Sequence, residues 1–196
     1  MATQADRRAA TRAAILKAAR KLFGDDGFDA TTMDDIAAAA RVAKGAVYHH
    51  FKTKEDVFEA VFEQVSHDLV AEIDAVARAE KDALVAMAAG TQHYLAACAK
   101  GAMGQIILRD GPAVLGWERW REIDAKHFGG KVPRGLEAAM ARGLIARQPV
   151  EPLARLLLGA MTEAAVACAG ASDIKKAGAE YSRAFKSLIE AMRIKP

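Results

Sequence analysis

The sequence predicts an all-α fold, and three observations carry that prediction. Apolar residues recur at three- and four-residue spacing along nearly the whole 196-residue chain, with no convincing alternating strand. Alanine is abundant while proline occurs only five times, and Ala enters a helix without losing side-chain entropy. Thr32 with Asp35 and Thr53 with Asp56 show the three-residue spacing of reciprocal N-terminal capping just ahead of apolar runs.

The elements follow in order. A first helix covers about residues 7–25, with Ile15, Ala19, Leu22 and Phe23 on one stripe, and Gly27 gives it a stop that tolerates the left-handed conformation. Thr32 caps a second helix, where Asp34 adds negative charge at the positive end of the helix dipole. A short third helix spans about 44–50, and a fourth, capped by Thr53, runs to about 78. Further helices are expected over roughly 83–100, 103–109 and 114–128, with a break at Asp110-Gly111-Pro112. Gly129, Gly130 and Pro133 form another break before 134–145. Pro149 and Pro152 introduce a long helix to about 169, and Ser172 caps a last one ending near 194.

The totals narrow the function classes. Hydrophobic residues at 52 % and charged residues at 27 % argue against disorder. Cys98 and Cys168 fit no metal-ligand spacing and read as buried thiols of a reducing, cytoplasmic protein. The start, MATQADRRAATRAA, lacks the apolar core of a signal peptide. The greasiest stretch is interrupted by Arg155 and Glu163 and falls short of the ~18 unbroken apolar residues of a membrane span. No metal, cofactor or membrane is expected.

Net charge is only +3, but its distribution is uneven. Residues 1–24 hold Arg7, Arg8, Arg12, Lys17, Arg20 and Lys21 against the single acid Asp6, and the block from Arg41 to Lys54 has four cations and no anion. A local basic face attracts phosphate even on a nearly neutral chain. Helices two and three have the size and order of a helix-turn-helix. Advancing about 100° per residue, Val47 and Phe51 fall on one face of helix three, facing Ile36, Ala37 and Leu22. The opposite face presents Gly45, Ala46 and His49, flanked by Lys44 and Tyr48. One apolar edge and one small, hydrogen-bonding edge suit a DNA major groove. Lys54 and Thr32 stand at helix starts, where side chain and free N–H groups hold a phosphate together. His49 and His50 point about 100° apart and do not chelate one ion.

These residues also carry a resemblance. The run TTMDDIAAAARVAKGAVYHHFKTKEDVF, preceded by AARKLFGDDGFDA, resembles the DNA-binding domain of the TetR family of bacterial transcriptional regulators over roughly residues 10–60. The resemblance implies a helix-turn-helix domain over residues 1–53 and a larger helical ligand-binding and dimerisation domain over 54–196, with the helix from 54 to about 78 as connector. It implies contact with double-stranded DNA at a palindromic operator by Thr32, Lys44, Gly45, Ala46, Tyr48, His49 and Lys54. Three positions depart from the pattern: Arg41 where Gly is frequent, Ala43 in place of a Ser or Thr cap, and Ala46 in place of Thr or Ser.

The last two helices suit a homodimer. LLLGAMTEAAVACAGA is rich in small residues, and Tyr181, Phe185, Leu188 and Met192 form an apolar stripe. Leu157, Met161, Ala164 and Cys168 join that stripe in the expected four-helix interface. The middle helices are left to enclose an unidentified, largely apolar effector, with Tyr94, Cys98, Met103, Ile107, Trp117, Arg121, Met140 and Glu163 as candidate lining. Trp117 and Trp120 read equally as packing, and Arg109 with Asp110 as a surface pair. The reading is therefore a repressor, not an enzyme; the alternatives are an activator of the same fold, or a helical enzyme using His93 or Cys98. No nucleophile, phosphate-loop or paired-carboxylate signature supports the last.

Overall fold

The structure, a computed structural model, describes residues 3–99 and 101–194. Its elements are α1 (Gln4–Asp25), α2 (Met33–Ala40), α3 (Lys44–His50), α4 (Lys54–Arg78), α5 (Ala83–Cys98), α6 (Gly101–Gly104), a π-helical turn (Gln105–Asp110), α7 (Gly111–Phe128), α8 (Lys131–Ala141), α9 (Val150–Gly170) and α10 (Ile174–Ala191). Among the described residues there is no strand, only one bridge between Ile145 and Arg193. The fold is all-α. Backbone contacts gather the chain into two compact units.

The first unit comprises the chain up to Val65 together with Gly101–Trp120. Its core is Ile15, Leu16, Ala19 and Phe23 from α1, Ile36 and Ala37 from α2, Val47 from α3, and Val57, Phe58, Val61 and Phe62 from α4. Phe23, Phe28 and Phe58 pack ring against ring with centroids 5.3–5.7 Å apart, geometry that adds to the gain from burying their area. The unit takes in more than residues 1–53, because the first turns of α4 bury their aromatic residues here and the segment 101–120 docks on α1. The docking is close: a Cβ on Gly24 would sit 2.3 Å from the Ala102 side chain, so only glycine allows α1 and α6 to approach this far.

The second unit comprises the chain from Ser66 to the end of α5 and from Arg121 onward. Leu84, Leu136, Ala139, Ile145, Leu157, Phe185 and Ile189 form its core, with Met87, Met140, Met161 and Met192 packed around them. Asp82 staples this unit. Its carboxylate accepts from the Leu84 and Val85 N–H groups at 2.9 and 3.1 Å, capping α5, and from both terminal nitrogens of Arg193 at 3.0 and 3.1 Å. Hydrogen bonding to Arg193, the largest influence, lowers its pKa to about 2.

Several element boundaries differ from the sequence reading, each for a local reason. Helix α1 starts at Gln4, because Thr3 and Asp6 form a capping box with each other's backbone. The Asp110-Gly111-Pro112 stretch does not end the helical path: the π-turn runs directly into α7, with the Gly111 N–H donating to the Ile106 carbonyl and Pro112 the second residue of α7. The interruption is Gly116, at φ 74° and ψ 158°. Pro133 likewise sits inside the first turn of α8. Asp173, not Ser172, caps α10 by accepting from the Lys176 N–H at 2.9 Å. Helix α5 ends at Cys98, and Lys100, where its end was expected, lies outside the described residues.

Candidate functional site

Helix α2 is fixed at its start by a reciprocal pair: Thr32 Oγ1 accepts from the Asp35 N–H at 3.2 Å, and Asp35 accepts from the Thr32 N–H at 3.0 Å. Hydrogen bonds from Thr32 hold the Asp35 carboxyl below its usual pKa, so it stays ionised. Thr53 and Asp56 repeat the device at α4, and Asp56 also accepts from the Lys52 N–H at 3.0 Å. Both caps open on one side of the first unit.

Between α2 and α3 the turn passes through Arg41, the only non-glycine residue with positive φ among those described, at φ 57° and ψ 42°. This is the left-handed geometry that glycine adopts freely and other residues adopt at a cost. The turn sets α3 so that Val47 is fully buried while Lys44, Gly45, Tyr48 and His49 are exposed and Ala46 is half-buried. A Cβ added at Gly45 would meet nothing within 4 Å, so this part of the helix surface is open. Ala43 supplies no side-chain cap.

A recess beside α3 is lined by Thr32, Lys44, Tyr48, Lys52, Thr53 and Lys54, together with Thr31, Met33 and Asp34. Four of the residues predicted to touch DNA thus share one concavity, and Gly45, Ala46 and His49 continue along the adjoining helix face. Lys52 and Thr53 complete the recess and were absent from the predicted set. The clue was available in sequence: an ammonium and a capping hydroxyl flank the start of α4, where free N–H groups collect.

Two details modify the expected roles. The Lys54 ammonium donates to the Phe28 and Thr31 carbonyls at 2.7 and 2.9 Å and lies 4.0 Å over the Phe28 ring. Two of its three donors therefore close the α1–α2 turn, and one remains for an outside acceptor. The Lys44 ammonium is 2.8 Å from Asp34, and that hydrogen bond raises its pKa. Asp34 is the one carboxylate lining the recess and opposes an incoming phosphate. His50 has its pKa lowered by partial burial and by His49, Arg8 and Arg12, so it is neutral at pH 7. Arg12 rests over the Phe51 ring at 5.2 Å, holding part of the α1 positive charge against α3.

Asp110, read from sequence as half of a surface pair, is a clip within the first unit. It accepts from the Phe28 N–H and from Gln105 Nε2, each at 2.9 Å, tying the π-turn to the turn that leads into α2. Arg109 reaches the Gln105 oxygen at 3.4 Å. Trp120 donates to the Ile107 carbonyl at 3.2 Å and stacks on Trp117.

The residues predicted to line an effector pocket are divided between the two units. Ile107 is buried in the first unit, which also contains Met103 and the half-exposed Trp117. Tyr94 and Cys98 are buried in the second unit and hydrogen-bonded to each other. Met140 packs on that unit's core, and Arg121 and Glu163 are exposed. The second unit does contain a cavity of about 300 Å³, lined by other residues, including Ile73, Met87, Phe128, Leu158, Met161 and Phe185. Sequence periodicity marks such residues only as apolar, and cannot say which of them border a void.

The dimer set also divides. Leu157, Ala164, Cys168 and Phe185 are buried within the protomer, Met161 and Met192 are half-buried, and only Tyr181 and Leu188 are exposed. Burial pushes the Cys98 thiol up to about 12, so it holds almost no thiolate at neutral pH and is a poor nucleophile. His93 pairs with Glu72 at 2.8 Å. No three His, Cys, Asp or Glu side chains converge as a metal site among the described residues. Helix α9 alone of the described helices has the length and apolarity of a membrane span, and its Ala154, Leu157, Ala164, Ala165 and Cys168 are buried in the second unit.

A helix-turn-helix with an open recognition helix, in a chain that also carries a larger helical unit, has the architecture of a DNA-binding regulator. Comparison with known proteins says which kind. The family profile for bacterial regulatory proteins of the tetR family matches residues 15–61, and the profile for the Tetracyclin repressor-like C-terminal domain matches residues 84–192. A TetR-family transcriptional regulator from Pectobacterium atrosepticum has a structure superposing with a TM-score of 0.89 at 30 % identity, over the full length of both chains. The chain belongs to the TetR family of transcriptional regulators. The Transposon Tn10 TetC protein of Escherichia coli is 30 % identical over 125 residues, 62 % of this chain and 61 % of TetC. The HTH-type transcriptional regulator AcrR of Shigella flexneri is 45 % identical over 53 residues, 27 % of this chain and 25 % of AcrR. The chain thus matches less than two thirds of the length of these two relatives.

Proposed function

We propose that this regulator is a cytoplasmic homodimeric repressor that occupies a palindromic operator and is released from it by a small, largely apolar effector. The observation that carries the reading is the arrangement around α3: an open edge of Gly45, Tyr48 and His49 beside a recess of hydroxyls, N–H groups and ammoniums. In this reading Gly45, Ala46 and His49 meet base edges, while Thr32, Lys44, Tyr48, Lys52, Thr53 and Lys54 hold phosphates on either side. One such head binds weakly, and a two-fold dimer doubles the contact across half-sites one helical turn or a multiple apart.

The face that supports dimerisation is the outer side of α9 and α10. Leu156, Gly159, Ala160, Glu163 and Val166 are exposed along one stripe of α9, and Tyr181, Ala184, Leu188 and Ala191 along one stripe of α10. Leu156 is 72 % exposed and Leu188 48 %, which is costly for an isolated protomer and ordinary for one half of a four-helix interface. Helix α4 belongs to both units, so a ligand that favours one setting of its second half biases the first. Ligand and DNA must prefer different conformers for release to follow.

The test is binding of full-length protein to DNA fragments from around its own gene, with affinity followed against salt. A saturable complex that weakens by orders of magnitude between ~50 and ~200 mM salt is expected. Tyr48→Ala with Lys44→Ala should reduce affinity at least tenfold while leaving the helical content intact. Operator affinity unchanged by that double substitution would remove α3 from the interface.

A further inference from the structure

We propose that the cavity of the second unit takes an amphipathic monocarboxylate of about ten non-hydrogen atoms, with its apolar end inside and its carboxylate at a cationic mouth. The proposal deepens the reading of this protein as effector-responsive and rests on it. Three observations support it, and all lie within the second unit.

The first is size. The cavity measures about 300 Å³, at the small end of ligand pockets. At roughly 30 Å³ for each water molecule, it has room for about ten waters, or for a ligand of about ten non-hydrogen atoms. It exists because its walls carry small residues where α4, α5 and α8 approach: Ala77, Ala83, Ala86, Gly90, Gly135 and Ala138.

The second is the interior chemistry. Ile73, Met87, Phe128, Leu158 and Met161 give an apolar wall. The one hydroxyl inside, on Thr91, already donates to the Met87 carbonyl at 3.0 Å and lies 3.7 Å from the Met161 sulfur. Its proton is spent, so an acceptor head such as a carboxylate finds no free hydroxyl donor in depth and would lose its hydration. The buried end of the ligand is therefore hydrocarbon.

The third is the charge of the mouth. Lys81, Lys131, Arg134 and Arg142 line the cavity against two carboxylates, Asp74 and Glu80. Asp74 is engaged by Lys131 at 2.6 and 2.7 Å and so cancels one cation. Arg142 is held by the Lys81 carbonyl, a neutral acceptor that orients the guanidinium without neutralising it. That leaves Lys81, Arg134 and Arg142 against Glu80, a surplus of positive charge on exposed side chains around an apolar opening. An anion is attracted there and a cation repelled. Guanidinium groups pair with a carboxylate through two parallel hydrogen bonds.

The test uses three probes of equal chain length on full-length protein without DNA: octanoate, 1-octanol and octylammonium, followed by calorimetric titration. Octanoate should bind saturably at one per chain, at least tenfold tighter than 1-octanol, with octylammonium weaker still. Arg134→Gln with Arg142→Gln should bring octanoate down to the 1-octanol level and leave 1-octanol unchanged. Ala86→Phe should abolish binding of all three, and Ala138→Phe serves the same purpose if the first variant folds poorly. Equal binding of octanoate and octylammonium, no binding of octanoate, or full octanoate binding in both filled variants would overturn the proposal. Octanoate that binds as described but leaves the operator complex intact would uphold the cavity's chemistry and reject the effector reading instead.

Discussion

The two units each bury an apolar core but expose different groups. In the first, the outward face of α3 carries Gly45, Tyr48 and His49, and hydroxyls and ammoniums converge on one recess beside it. In the second, the outward residues of α9 and α10 include Leu156, Val166, Tyr181 and Leu188, and the polar groups ring a void. On the proposed reading, the difference follows from what each unit would meet. A DNA groove has fixed dimensions and a fixed charge spacing, so its reader is constrained residue by residue. A hydrophobic effector or a second protomer constrains only size, polarity and shape, and many sequences satisfy that.

The comparison can be broken most forcibly at Phe58. Its ring is fully buried and touches Phe23 and Phe28, with a third ring, Phe62, at 6.4 Å. Phe58→Ala should cost about 3–5 kcal/mol and abolish operator binding. If the units fold with separate cores, hydrogen exchange will show the loss of protection concentrated in α1–α3, with the amides of α5 and α10 still protected. Uniform loss would mean that the two cores melt as one.

Next in size is Asp124 in the second unit, where burial, opposed by Arg121 and His127, raises the carboxyl from 3.8 to about 6. The folded state binds this proton more tightly than the unfolded chain, so stability falls as pH rises from about 4 to about 6 and the deficit persists above that. Asp124→Asn should raise stability at pH 7 by up to about 3 kcal/mol, and the gain should vanish below pH 4. Chemical denaturation across that range measures both. A pH-independent gain would assign the effect to packing.

Asp82 has the opposite sign and a smaller effect. Its folded pKa of about 2 lies below the ordinary 3.8, so its contribution is complete above about pH 4 and fades as pH falls toward 2. Asp82→Asn keeps an acceptor for the α5 cap but loses the charged partner of Arg193. With both side chains about one-third exposed, solvent screening limits the loss to about 1 kcal/mol. The gap between variant and parent should narrow as pH drops from 5 to 3, and a gap that widened would contradict the assigned pKa direction.

What the sequence made legible follows the same division. Thr32, Thr53 and the helix starts they cap were readable because a cap is local: hydroxyl, carboxylate and N–H lie within four residues. The two faces of α3 were readable from a single turn of helix geometry. The roles of Lys54 and Asp110 were not, because each depends on a partner far along the chain, Phe28 in both cases. The cavity was missed for a related reason. Its lining comes from six separate helices, α4, α5, α7, α8, α9 and α10, and periodicity reports only that a residue faces inward. The outward stripe of α9 is one residue offset from the predicted one, Leu156 for Leu157, since consecutive residues in a run of leucines are equally apolar and only the packed partner decides between them.

The smallest expected effect lies at Arg41, where the two demands on the first unit meet in one residue. The left-handed conformation there is open to glycine without strain, so Arg41→Gly should stabilise the unit by about 1 kcal/mol. The side chain is exposed at the turn between the two helices of the reading motif, and an arginine kept at that cost is explained if its guanidinium reaches a phosphate. In that case the same substitution lowers operator affinity, and the slope of log affinity against log salt becomes shallower by about one. Thermal unfolding and a salt titration on one preparation separate the two. A more stable protein with an unchanged slope would place Arg41 outside the interface and leave its strain without a functional return. A more stable protein with a shallower slope would mean that this turn gives up stability in order to hold DNA.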